Sequence, residues 1–503
     1  MGLLSMKRYI VSLFALFTLL VISFPNNIHA EQRTINDEII YDIIIDRFNN
    51  GRQAPSDQVD IYNPLTYNGG DIKGITLMLD IIEEHGFTAI SISPPMANAP
   101  EGYHGYWIED FFDVEEEFGT IDDLKELVQE AHDRDIKVFM ELVTNYAAKS
   151  SPLVQDESKR DWFKEVEATP ADSTNWLDEV VQFDQDNAEV EQYLLDVANY
   201  WIDETEIDGY ILHAADQSST NFLDTLTEEV KANYPNFYLI ANSLPGENIE
   251  ALCSNEHIDA IAHEALLEKF HEVFAHVDTP VSELYKITEQ TDCDKMLLYA
   301  DNKNTARFSN VVADEGRNAN TSWKLALMYL YFTPGVPIVY QGSEVPMYGP
   351  GYPENQYMID TISADPDLKK VFEQLASTRE MFPPLVHGDI EQIATDEGFS
   401  LFKRTLDDQT VYFGINNDSR SRHVKINGLH EDLQLRGIFH DDTIRVNDDG
   451  ELIIGMERES IEVFIIQPNV GFNWWFIGFV AAVMVIFVAG VVFLSIKQKR
   501  REQ

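Results

Sequence analysis

Side chains that can do acid–base chemistry lie near the ends of several apolar runs in this sequence. Glu141 lies near the end of one run, His213 and Asn242 end two others, and Asp301 and Lys303 follow a fourth. If these runs are parallel strands of one barrel, their carboxyl ends meet at one face and the side chains converge there. Carboxylates serve as nucleophiles and proton donors, whereas an amide has no proton to give at any working pH.

Eight strand-like runs alternate with amphipathic helical stretches, which is typical of strands covered by helices on the outside. Two of the helical stretches are Ile121–Asp133, with Thr120 as its expected N-cap, and Val190–Glu204. The pattern predicts an α/β fold, a (β/α)8 TIM barrel, with an open doubly wound sheet as the alternative that alternation does not exclude. The runs are Ile39–Asp46, Thr88–Ser93, Lys137–Val143, Gly209–His213, Tyr238–Asn242, Ile258–His263, Met296–Ala300 and Val336–Tyr340.

The barrel is expected over residues 31–384, followed by a second, smaller domain. A long polar stretch at about 146–183, after the third strand, predicts a short inserted subdomain. From 385 to 468 short alternating runs are separated by turns rich in Asp, Asn and Gly, which predicts a small all-β domain.

Both ends of the chain carry apolar segments. Lys7 and Arg8 precede the apolar run Tyr9–Phe24, and Ala30 offers a small residue for cleavage, so residues 1–30 read as a signal peptide. An uncleaved anchor is the alternative.

The second apolar segment, Trp474–Ile496, is free of charge and long enough for a transmembrane helix. Lys497, Lys499, Arg500 and Arg501 follow it, so the basic tail 497–503 is expected in the cytoplasm. The sequence therefore predicts a single-pass protein of the cell membrane whose body is extracellular.

The charge balance narrows the choice of partner. The 503 residues include 86 acidic and 36 basic side chains, for a formal net charge of −50. Such a surface repels nucleic acid, which is excluded as a partner. Only two cysteines occur, Cys253 and Cys293, and the sequence leaves open whether they pair.

Motifs along the chain resemble those of the α-amylase family, glycoside hydrolase family 13. The resemblance extends from about Ile39 to the end of the β domain, and it implies the barrel fold and carbohydrate metabolism as the function class. The matching segments are Ile40-Tyr41 with Asp46-Arg47-Phe48, Tyr67-Asn68-Gly69-Gly70-Asp71, Tyr103-His104-Gly105-Tyr106-Trp107 and Pro334-Gly335-Val336-Pro337 with Tyr340-Gln341-Gly342.

The resemblance fails where the family carries its catalytic carboxylates. A retaining glycosidase needs a nucleophile and an acid about 5 Å apart. His213 occupies the position that the resemblance assigns to the nucleophile, Asn242 that of the general acid and Asn304 that of the third carboxylate, while Ile211 replaces the arginine. We therefore expect no intact catalytic set and a protein that is not an enzyme, acting in glycan binding or as a scaffold subunit. The alternative is an active α-glucan hydrolase or transglycosylase with relocated catalytic residues.

The remaining candidate residues concern binding. We expect contacts with an oligosaccharide or α-glucan from His104, Tyr106, Trp107 and Lys303, since sugar faces stack on aromatic rings. The alternative is that Tyr106 and Trp107 only pack the mouth of the barrel. The other expected partner is a membrane protein. Calcium is the one cofactor that the resemblance suggests, through Asn145.

Overall fold

The structure is a computed structural model that describes residues 33–52, 59–164, 175–243, 249–262, 264–290, 293, 295–359, 365–469 and 474–500. The predicted signal peptide lies outside these residues.

Eight parallel strands close into a barrel, each paired with the next along the chain and the last paired with the first. The predicted TIM barrel is confirmed, and the closed ring excludes the open doubly wound sheet. The strands are β1 (Ile40–Ile43), β2 (Ala89–Ile92), β3 (Lys137–Leu142), β4 (Gly209–Leu212), β5 (Tyr238–Ala241), β6 (Ala260–Ala262), β7 (Met296–Leu298) and β8 (Val336–Tyr340).

Helices surround the barrel and return the chain from the carboxyl end of each strand to the amino end of the next. The expected helix after Thr120 begins there, with the Thr120 hydroxyl accepting from the Asp123 amide in a capping box. The helices are α1 (Ile72–Glu84), α2 (Ile121–His132), α3 (Pro152–Gln155), α4 (Ala188–Thr205), α5 (Thr220–Asn233), α6 (Glu250–Ser254), α7 (Glu264–Ala275), α8 (Ser282–Gln290), α9 (Phe308–Asp314), α10 (Ala319–Phe332), α11 (Pro366–Met381), α12 (Pro384–His387) and α13 (Trp474–Lys499). Short 3-10 helices cover Ile35–Asp37, Ile45–Arg47, Glu157–Trp162, Asn175–Glu179, Ala215–Gln217 and Glu354–Gln356.

Two small sheets rise from the carboxyl face of the barrel. Met96–Asn98 pairs with Ile108–Val114 after β2. After β3, Val180–Phe183 pairs with both Tyr146–Ala148 and Phe163–Lys164, and this sheet is the expected inserted subdomain.

An all-β domain follows the barrel, as predicted. Its strands are β9 (Asp389–Asp396), β10 (Phe399–Leu406), β11 (Gln409–Asn416), β12 (Arg422–Asn427), β13 (Leu433–Gly437), β14 (Thr443–Arg445), β15 (Glu451–Met456) and β16 (Ser460–Pro468). Arg404, fully buried, joins this domain to the barrel by donating to the carbonyls of Phe332 and Gly388. Helix α13 is the one helix among the described residues that is long and apolar enough to cross a membrane.

The two cysteines pair, which the sequence left open. Cys253 at the end of α6 and Cys293 before β7 form a disulfide with their Cα atoms 5.6 Å apart. The bond closes a loop of 40 residues that contains β6 and helices α7 and α8. Because it restricts the unfolded chain, it is expected to stabilise the folded barrel.

We predict that the double variant Cys253→Ser/Cys293→Ser loses about 2–4 kcal/mol of unfolding free energy. Thermal and urea unfolding with and without a thiol reductant measure the loss. Reductant should lower the stability of the unmodified protein and leave the variant unchanged. A variant as stable as the unmodified protein would contradict the prediction.

Candidate functional site

The alternation of side chains along each strand places a polar layer above an apolar one inside the barrel. Residues two apart on a strand point to the same side, so a polar residue two positions after an inward apolar residue also points inward. The pairs are Ile40 and Asp42, Phe139 and Glu141, Ile211 and His213, and Ile240 and Asn242. The polar member comes last in every pair, so these side chains lie at the carboxyl face.

Glu141 is the centre of this layer. Its carboxylate is fully buried and lies 2.7 Å from Lys303 Nζ and 2.8 Å from His213 Nδ1. The Tyr106 hydroxyl donates to the same carboxylate at 3.2 Å. Four separate segments of the chain therefore meet at one buried charge.

These donors decide the protonation of the cluster. Burial alone would raise the pKa of Glu141, but Lys303 and His213 outweigh it and lower the pKa to about 2. An ionised carboxylate only accepts, so His213 donates to it through Nδ1–H. Burial would lower the pKa of the Lys303 ammonium, yet Asp42 and Glu141 hold it well above its ordinary value. Glu141 and Lys303 thus form a buried ion pair.

Asp42 is a second carboxylate in the layer, and sequence reasoning missed it. It accepts from the Ser91 hydroxyl at 2.9 Å and lies 3.6 Å from Lys303 Nζ. Burial raises its pKa, and Lys303 opposes the rise only in part. The sequence signal that could have found Asp42 is its position two residues after the inward-facing Ile40. A single acid inside an apolar strand is easy to overlook.

A small cavity of about 30 Å³ lies among these residues at the carboxyl ends of the strands. Asp42, Asn242, Asp301 and Lys303 contribute its polar lining, and Ile211 belongs to its apolar lining. A space of this size holds on the order of one or two water molecules between its polar groups.

The expected binding aromatics lie beside the cluster. Tyr106 is buried, and its ring lies 4.4 Å from the His213 ring. The rings of His104 and Tyr106 stack, and Trp107, half-buried, meets His104 edge to face. Burial, together with Arg47, lowers the pKa of His104 to about 3, so this ring is neutral at ordinary pH.

The structure brings together some of the expected site residues and not others. Glu141 is the common hydrogen-bond partner of His213, Lys303 and Tyr106. Asn242 lines the cavity together with Lys303. Asn304 lies on the turn beyond Lys303, where its amide N–H donates to Asn302 Oδ1 at 2.8 Å. That these positions correspond to the family's catalytic ones stays a prediction.

Two other acids near the strand ends have structural surroundings. Asp208 precedes β4 at the opposite face, where it holds Lys137 and His132 at 2.8 and 2.7 Å. Asp301 lines the cavity but accepts from the Phe308 amide and the Ser343 hydroxyl, both at 2.9 Å. Those contacts fix the turn after β7.

The side chain of Asn145, the suggested calcium ligand, is bonded on both sides within the protein. Its amide group donates to the carbonyls of His213 and Ala214, and its oxygen accepts from Gln185 and Ser218. Within the described part of the chain, no group of three or more His, Cys, Asp or Glu side chains is arranged to hold a metal ion. These contacts do not fit a calcium site built on Asn145.

Comparison with known proteins agrees with this architecture. The family model "Alpha amylase, catalytic domain" matches residues 42–418, and "Alpha-amylase C-terminal domain" matches residues 388–464. An Anoxybacillus α-amylase structure is 36% identical, with a TM-score of 0.82, over 88% of this chain and 100% of its own. The α-amylase of Geobacillus thermoleovorans, solved with acarbose, is 35% identical, with a TM-score of 0.80, over 86% of this chain and 99% of its own. A cyclomaltodextrinase of Geobacillus thermopakistaniensis is 27% identical over 78% of this chain and 70% of its own.

The chain belongs to the α-amylase family. The comparisons contradict the prediction that it is not an enzyme, because relatives similar over most of the chain are named as active glycosidases. The prediction rested on the replaced family positions, which His213, Asn242 and Asn304 occupy. Relocated catalytic residues among the other acids near the strand ends, such as Glu141 and Asp301, were the alternative, and Asp42 was not among them.

We predict that Glu141→Gln costs about 3–5 kcal/mol of unfolding free energy, because it leaves the Lys303 ammonium buried without its main partner. The double variant Glu141→Gln/Lys303→Met should recover much of the loss. Urea unfolding at neutral pH measures both, and a double variant no better than the single one would contradict the assignment.

The unfolding free energy lost in Glu141→Gln should also depend on pH. The pKa of Glu141 in the folded protein, about 2, lies below its ordinary 4.5. The carboxylate therefore stabilises the fold above about pH 4.5, and this contribution is lost as the pH falls toward 2. The difference between the unmodified protein and Glu141→Gln should shrink over that range.

Proposed function

We propose that this protein acts on α-linked glucans as a hydrolase or transglycosylase, with its catalytic groups at Glu141 and Asp42. The proposal takes its substrate class from the relatives, which are named as α-amylases and cyclomaltodextrinases. It takes its residues from the polar layer of the barrel, since His213, Asn242 and Asn304 offer no carboxylate.

The observation that carries the proposal is a pair of neighbouring carboxyl groups whose pKa values are moved in opposite directions. Lys303 and His213 overcome burial and keep Glu141 ionised, whereas burial raises the pKa of Asp42. Acid and base roles on one fold are assigned by such a separation. Glu141 is then the charged group that stabilises or attacks the anomeric carbon, and Asp42 is the proton donor.

The spacing of the two groups favours a double-displacement reaction. The Lys303 ammonium lies 2.7 Å from a carboxylate oxygen of Glu141 and 3.6 Å from one of Asp42. The distance between these two oxygens is therefore at most the sum of the two contacts. That limit is below the roughly 6.5 Å at which inverting pairs begin. A retaining reaction also accounts for transglycosylation, because its intermediate can be taken by water or by a second sugar.

The Lys303 ammonium must move away from the two carboxyl groups for the reaction to proceed. Its ammonium lies between the two carboxyl groups, where the scissile bond has to enter. The turn after β7 is fixed by its own contacts, so rotation of the long Lys303 side chain would admit the sugar and bring Asp42 into contact with it. Trp107, half-buried at the rim, offers a ring for a neighbouring sugar unit.

Purified protein should release reducing ends from maltooligosaccharides or starch, and Asp42→Asn should lower kcat by about 10²–10⁴-fold, the usual contribution of a general acid. The first product should retain the anomeric configuration, as seen by NMR. Because burial raises the pKa of Asp42, kcat should fall as the pH rises through that pKa, and this limb should vanish in Asp42→Asn.

Asp208→Asn is the matched control, since it makes the same change at the opposite face of the barrel. It should keep kcat. The triple variant His213→Asp/Asn242→Glu/Asn304→Asp restores carboxylates at the three family positions. Turnover by this variant and none by the unmodified protein would refute the proposal.

We further propose that the barrel is extracellular and held to the cell membrane by α13. The helix has the length and composition of a span, and the basic residues after it favour a cytoplasmic tail. The disulfide supports an oxidising exterior. Protease added to intact cells should remove the barrel and leave the tail protected, whereas a protected barrel would contradict this topology.

A further inference from the structure

The direction in which the chain leaves the β domain determines which face of the barrel lies toward the membrane. Strand β16 is the last strand before α13, so the barrel face nearest the end of β16 is the face nearest the bilayer. Pairing registers and contacts with the barrel place both ends of this strand.

The start of β16 lies toward the carboxyl face of the barrel. Glu459, which precedes the strand, binds Arg317 at 3.0 Å. Arg317 lies just before α10, and α10 leads back to the amino end of β8. The first turn of α10 therefore lies on the side of the site, and Ser460 begins β16 at that level.

The end of β16 lies at the amino face. Ile465 pairs with Val411, and Val411 pairs with Arg404. Arg404 donates to the carbonyl of Phe332, where α10 ends, shortly before β8 begins at Val336. Strand β16 thus runs antiparallel to the barrel strands and leaves the domain at the face opposite the site.

The connection from this point to α13 is short. The Asn469 amide donates to the Asp432 carbonyl at 2.7 Å, so Asn469 is still held by the β domain. Only residues 470–473 remain before Trp474, and the five steps from Asn469 to Trp474 reach at most about 18 Å. Helix α4, which spans the barrel wall, is about 27 Å long by its 18 residues. A body inverted so that the site faces the bilayer would need a tether longer than this barrel wall, and residues 470–473 are too short for that.

The amino face suits a headgroup layer. It carries a groove whose charged lining consists of six acids, three arginines and one histidine. An excess of acids is repelled by anionic lipid, and charged side chains do not insert among acyl chains, so the groove fits a layer of zwitterionic headgroups.

We propose that the amino face of the barrel lies on the zwitterionic headgroups of the bilayer that α13 crosses, so that the site opens away from the membrane. The proposal rests on the membrane anchoring proposed above. This orientation predicts where the substrate comes from, since a glucan must reach the cavity from the bulk exterior and not from the membrane surface.

Labelling of single introduced cysteines tests the orientation. Both native cysteines are in a disulfide, so a thiol-reactive fluorophore labels only the introduced cysteine. Ser377→Cys places a fluorophore in the groove of the amino face, and Ser150→Cys places one at an exposed site beside the carboxyl face. The full chain is reconstituted in phosphatidylcholine vesicles that carry a nitroxide on the headgroup. Quenching should be severalfold greater at residue 377 than at residue 150.

Equal quenching, or stronger quenching at residue 150, would overturn the proposal. A flexible insertion of about 20 residues after Asn469 should reduce the difference, because the tether could then reach about 70 Å further. A difference that survives the insertion unchanged would show that the short tether is not its cause. Failure of the protein to float with the vesicles would refute the anchoring itself, an outcome distinct from equal quenching.

Discussion

The ion pair between Lys303 and Glu141 is the interaction on which the arrangement of the barrel mouth depends. A carboxylate with no exposed surface is tolerated only when charge and hydrogen bonds replace its lost water. Glu141 accepts hydrogen bonds from the Lys303 ammonium, the His213 ring and the Tyr106 hydroxyl. Each of these donors is thereby fixed in position. The Tyr106 ring in turn stacks on His104, which meets Trp107, so contacts lead from the buried charge to the rim.

The loops after β7 and β8 hold Lys303 in place. The Lys303 carbonyl accepts from the side chains of Asn355 and Gln356 at 2.9 and 2.7 Å. Asp301, two residues earlier, bonds the Phe308 amide and the Ser343 hydroxyl. A lysine side chain on a free loop would prefer water to a buried site. These backbone restraints reduce the entropy that the buried ion pair must overcome.

The fold could be predicted because its signals are local and repeated. Each barrel strand is an apolar run, and Thr120 begins its helix through side chains three residues apart. The site was predicted only in part, because it depends on which distant side chains meet. Glu141 and Lys303 are 162 residues apart in sequence, and no local pattern indicates that they pair. The expectation that Lys303 contacts a ligand stays a prediction, and the structure adds its contacts with Glu141 and Asp42. Nor does spacing show that Cys253 and Cys293 meet.

The difference between Glu141 and Asp42 follows from their neighbours and not from burial, since both carboxyl groups are buried. Glu141 has three donors, two of them nitrogen groups in close contact. Asp42 has the neutral Ser91 hydroxyl at hydrogen-bond distance and the same ammonium further away. Burial therefore prevails at Asp42 and the donors prevail at Glu141. Two carboxyl groups with equal surroundings would compete for one proton as a coupled pair. Unequal surroundings move the two pKa values in opposite directions, which is the condition for the acid and base roles proposed for Asp42 and Glu141.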